Sequence, residues 1–101
     1  MKVVLTERAI EDLIGIGSYI ERDNPDRAAR FMAELEARCA MLADMPRGFA
    51  VVPGYETQGI RRRPFGDYLI FYRVEDAARR IEVLRILNGA RDIEALLLPE
   101  A

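Results

Sequence analysis

The sequence predicts an α+β fold: an N-terminal strand, an antiparallel two-helix hairpin and a mainly antiparallel sheet, in the order β-α-α-β-β-β with a short C-terminal tail. Apolar residues recur at helical spacing through residues 7 to 45, and a helix-start signal, Asn24-Pro25, divides that stretch in two. The second half instead carries runs of β-branched and aromatic residues separated by turn formers. With 101 residues, 50% of them hydrophobic, the chain suits one domain, residues 1–101, around one core.

Lys2 to Leu5 reads as a short edge strand, ended by Thr6 as the N-cap of a helix. Along that helix Ala9, Ile10, Leu13, Ile16 and Ile20 form an apolar stripe, with Glu7, Glu11, Asp12 and Glu21 opposite. Gly15 and Gly17 weaken it, and can let a neighbour approach closely. Asn24 caps a second helix, and Pro25 sits at a first helical position whose amide would have no partner anyway. Ala28, Phe31, Met32, Leu35, Cys39 and Leu42 make its stripe, and Pro46 with Gly48 stops it near Met45. The two stripes face each other and the sheet, so each element buries its one apolar side.

Arg47 to Thr57 reads as a loop with room for a short extended piece, and Gln58 to Asp92 as a meander. Gly66-Asp67 suits a two-residue hairpin turn. Counting outward from it, Phe65 opposes Tyr68, Arg63 opposes Ile70 and Arg61 opposes Tyr72. On the other face Pro64 meets Leu69, Arg62 meets Phe71 and Ile60 meets Arg73. Tyr68, Ile70, Tyr72 and Val74 form the bed for the helices, leaving Ile60, Arg62, Leu69, Phe71 and Arg73 on an open outer face. Arg85, in the apolar strand Ile81 to Leu87, needs solvent or a paired carboxylate.

Fifteen basic against seventeen acidic residues give a net charge of −2, which argues against a general nucleic-acid coat; direct sequence-specific nucleic-acid binding by this chain is not expected either. The charge distribution is uneven: residues 1–45 carry 6 basic and 9 acidic side chains, residues 58–91 carry 8 and 4. The sheet is therefore locally basic and the helices acidic. A single cysteine, Cys39, permits no intrachain disulfide and points to a reducing cytoplasm. No stretch suits a signal peptide or a membrane span, and no metal-site spacing or cofactor motif is present.

The whole chain resembles the RelE/ParE superfamily of bacterial toxins, and more closely its ParE branch. The resemblance is carried by Ala9 to Leu13 with Tyr19-Ile20, by Asn24-Pro25 with Ala28, Ala29 and Phe31, and by Leu42 before Pro46. It continues through Gly59 to Arg62, Tyr68 with Ile70 to Val74, and Ile86 to Asp92. It implies the RelE-like fold and one of two activities. RelE-like members are ribosome-dependent mRNA endoribonucleases, which need an acid, a base and cations around the phosphate; ParE-like members bind and inhibit DNA gyrase. The RelE catalytic positions become Ile60, Arg62, Leu69, Arg91 and Leu97 in this chain. Ile60, Leu69 and Leu97 transfer no proton, arginine stays protonated, and histidine is absent.

The expectation is therefore a non-enzymatic toxin of a type II toxin-antitoxin system, partnered by DNA gyrase and by a cognate ParD-like antitoxin, with which it forms a hetero-oligomer. The candidate partner-binding residues are Ile60, Arg61, Arg62, Leu69, Phe71, Arg73, Arg85, Arg91 and Leu97. Two other readings stay open: a RelE-type ribonuclease and a non-toxic interaction module of the same fold. For Arg61 to Arg63 the alternative role is to keep a sheet edge from pairing with another chain. The tail, Ile93 to Ala101, has an apolar run that packs on the sheet or meets a partner.

Overall fold

A computed structural model describes residues 1–89. Strand β1 (Lys2–Leu5) leads into helix α1 (Glu7–Glu21), which the Thr6 hydroxyl caps by accepting the amide of Ala9 at 3.1 Å. Helix α2 (Pro25–Ala40) starts with Pro25 in its first turn and the Asn24 side chain accepting from Arg27 N at 3.0 Å. It ends earlier than Pro46 alone would require. The chain tightens into a 3-10 turn, Met41–Ala43, which drops Leu42 into the core at 0% exposure. Strands β2 (Arg61–Phe65), β3 (Tyr68–Glu75) and β4 (Arg80–Asn88) complete the sheet in the order β1-β4-β3-β2. β1 runs parallel to β4, and the other pairings are antiparallel.

The hairpin register is the one read from the Gly66-Asp67 turn, with Phe65 opposite Tyr68 and Arg61 opposite Tyr72. Of the two turn residues, Gly66 takes a positive φ, +59°, and Asp67 does not, as expected for a turn with glycine at its first central position. One irregularity escapes any period-two reading. Phe71 pairs with Arg85 and Tyr72 with Val83, so Leu84 is an extra residue in β4. The bulge switches the alternation, and Ile81, Val83 and Ile86 all reach the helix-facing core.

That core gathers Ala9, Leu13, Ile16 and Ile20 of α1, Leu35 and Cys39 of α2, and Ile70 and Tyr72 of β3. Ile10 is not among them. It lies one step off the Ala9-Leu13-Ile16-Ile20 line and is 45% exposed. Gly17 permits the close approach its position suggested, since a Cβ there would stand 3.1 Å from the Met32 sulfur.

Candidate partner-binding site

The open outer face expected from the hairpin register is covered. Ile60 and Phe71 are 1% and 0% exposed, and with Leu87 they pack under Val52 and Tyr55 of the loop between the 3-10 turn and β2. Leu69 and Leu84 flank this second cluster, partly buried. The loop is held by backbone pairing, Val52 N to Ile60 O at 2.8 Å and Arg62 N to Ala50 O at 3.0 Å. It is pinned further by the Tyr72 hydroxyl donating to Pro46 O at 2.8 Å and by the Arg47–Asp76 ion pair at 2.6 Å. Ile60 and Phe71 are therefore corrected from surface to core. Val51, Val52 and Tyr55 are the apolar signal of this cover, but they follow no strand or helix period.

The arginines separate into two kinds. Arg85 meets Asp12 of α1 through two hydrogen bonds, Nε to Oδ2 at 2.8 Å and Nη2 to Oδ1 at 3.0 Å, with both side chains 15% exposed. The same carboxylate accepts the amide of Ile86 at 2.9 Å, so Asp12 belongs to the sheet edge rather than to the polar side of its helix. Of the two settings Arg85 required, the structure supplies the carboxylate. Arg73 is similarly answered by Glu82 at 3.0 Å and Glu75 at 3.5 Å, and Arg80 by Glu82 at 3.1 Å.

Around β2 the pattern changes. Arg61 turns inward and donates to Phe49 O at 2.8 Å, fastening the loop. Arg62 is exposed on the outer face, and among the described residues it has no ion pair. Arg63 stacks on Phe49, its Cζ 4.9 Å from the ring centroid, and Arg38 of α2 stacks on Phe65 at 5.2 Å. Arg91 and Leu97 lie outside the described residues. The candidates thus fall into a buried group (Ile60, Phe71, with Leu69 partly buried), internally paired arginines (Arg73, Arg85) and the β2 arginines (Arg61, Arg62).

Sequence reasoning passed over Arg38 and Asp12, because each meets its partner only in the folded chain. A groove of about 560 Å³ opens between α1 and the end of β4, lined by Gly15, Tyr19, Arg22, Tyr68 and Leu87, with the Asp12–Arg85 pair in its wall. Two buried acids respond to their surroundings. Burial pushes the Cys39 thiol from 9.0 up to about 11 against the field of Arg63, and burial likewise raises the Tyr72 phenol against Arg61.

This arrangement, a helical hairpin on a four-stranded sheet in the order β-α-α-β-β-β, matches RelE/ParE-like toxin structures. Residues 3–93 match the family described as ParE toxin of type II toxin-antitoxin system, parDE, and the chain belongs to that family. It is 34% identical over 94 residues to the toxin ParE1 of Caulobacter vibrioides, covering 92% of this chain and 94% of the relative. It is 35% identical over 86 residues to the putative toxin Y4kP of Sinorhizobium fredii, covering 83% of each. Among solved structures, a chain of the chromosomal ParDE system from P. aeruginosa superposes with a TM-score of 0.73 at 22% identity, covering 87% of this chain and 95% of that one. A chain of the RelBE2 toxin-antitoxin complex from Mycobacterium tuberculosis gives 0.62 at 22% identity, covering 86% and 95%. The chain is a type II toxin-antitoxin toxin of the ParE family.

Proposed function

We propose that the chain acts without catalysis, by binding and inhibiting DNA gyrase, and that a cognate ParD-like antitoxin neutralises it in the cytoplasm. The family match over residues 3–93 carries this reading. Two of the positions where a RelE-type nuclease would hold catalytic groups support it, because Ile60 and Leu69 contribute to the packing under the loop. Among the described residues no helix is long and apolar enough to cross a membrane. The β2 arginines and the α1–β4 groove offer the antitoxin cations and a cleft, and such segments order as they bind.

Supercoiling of relaxed plasmid by gyrase and ATP, titrated with purified chain freed of antitoxin, tests the reading. Expected is loss of supercoiling with accumulation of linear cleaved DNA, reversed by the cognate antitoxin. Undiminished supercoiling in the presence of folded chain would refute it. Cleavage of mRNA on ribosomes by the same preparation would transfer the activity to the nuclease class.

A further inference from the structure

We propose that the edge where α2 meets β2 is a carboxylate-binding surface, on which Arg38 and Arg63 receive an acidic, extended segment of a protein partner. The inference rests on the preceding reading only in taking that partner to be the antitoxin.

Both guanidinium groups are already placed. Arg38 lies 5.2 Å from the Phe65 centroid and Arg63 lies 4.9 Å from that of Phe49. A stacked guanidinium has surrendered much of its side-chain freedom, yet keeps donors in its plane for a carboxylate. Little further ordering is then needed on binding. Neither group has a carboxylate within ion-pair distance among the described residues, unlike Arg47, Arg73, Arg80 and Arg85. The Nε of Arg63 is shut away from solvent without a hydrogen-bond partner, which leaves its terminal Nη groups to receive a carboxylate. A half-buried cation left in this state is poised to gain from an incoming anion.

The geometry favours an extended occupant. Arg63 and Phe65, the ring under Arg38, stand at alternate positions of β2, on one face and about 7 Å apart. An extended peptide running along β2 likewise presents alternate side chains on one face. Pro64, between them, has no amide to offer at the edge, so recognition falls to the side chains.

The test follows the arginine Nε–Hε resonances of the full chain during titration with the blocked peptide acetyl-Glu-Ala-Glu-Ala-Glu-amide. Arg38 and Arg63 should shift and saturate, while exposed Arg27 and Arg30 of α2 stay in place. The double variant Arg38→Lys with Arg63→Lys, which keeps net charge but loses the planar fork, should bind at least tenfold more weakly at an unchanged thermal midpoint. Equal shifts at all four arginines, no shift at any, or full binding by the lysine pair would each overturn the proposal. So would displacement of the two resonances, without peptide, by Asp92→Asn, Glu94→Gln and Glu100→Gln together, because the chain would then be filling its own site. In a parallel measurement with the antitoxin, unchanged affinity of the lysine pair would remove the antitoxin as occupant. An antitoxin that fails to bind the wild-type chain would sink the neutralisation reading, while the peptide titration still judges the surface.

Discussion

At one edge of the sheet Arg85 reaches an aspartate 73 residues away in sequence, and two hydrogen bonds plus the Ile86 amide close the site internally. At the other edge three consecutive arginines meet no carboxylate among the described residues: Arg61 fastens a loop, Arg62 faces solvent and Arg63 lies on a ring. One residue type thus does two jobs. Where β4 runs on past its pairing with β1, its edge is covered by α1, and the cation is held in a nearly dry pair. Where β2 has only a loop beside it, Arg61 is spent on that loop, and Arg62 and Arg63 remain without a carboxylate among the described residues. A charge earns attention as a binding group only after its internal partners have been counted.

The comparison can be broken by changes that act on one edge at a time. The largest expected effect is structural and shared by neither edge: Phe71→Ala, beneath the loop, should cost about 3 to 5 kcal/mol in chemical denaturation. A cost below about 1 kcal/mol would mean that the loop does not seal this face.

At the closed edge, Asp12→Ala should cost about 3 kcal/mol, because it strands a poorly solvated guanidinium and an amide together. Combining it with Arg85→Met should restore part of that loss. Strict additivity of the two changes would remove the coupling. At the open edge, Arg61→Gln should cost about 1 kcal/mol through its carbonyl contact, and Arg62→Gln less than about 0.5 kcal/mol. A larger loss at Arg62 would show that it holds the fold.

Cys39 sharpens the comparison from inside the core. Its thiol is raised to about 11 by burial, with Arg63 of the open edge pulling the other way. The native state therefore holds a proton that the unfolded chain releases above about pH 9. This contribution is fully present below that pH and falls by about 2 kcal/mol as pH rises toward 11. Replacing Arg63 by Gln should shift the lower edge of native thiol titration upward, read by the pH dependence of thiol alkylation under native conditions. A downward shift would refute the field assigned to Arg63.

Much of this molecule is legible in the sequence because its signals are local. Thr6 and Asn24 cap helices within three residues of themselves, Gly66 sets a hairpin register, and the α1 and α2 stripes repeat at the helical period. The resemblance to the RelE/ParE superfamily is also carried by the sequence itself, and the ParE family match over residues 3–93 agrees with it. Tertiary structure alone decided what depends on contacts between distant residues. The Leu84 bulge reversed the faces of β4, a loop without periodicity buried Ile60 and Phe71, and Asp12 crossed to Arg85. Whether an arginine is spent or available is settled in the same way. Its partner is chosen by proximity in space, and no periodic pattern along a chain encodes that distance.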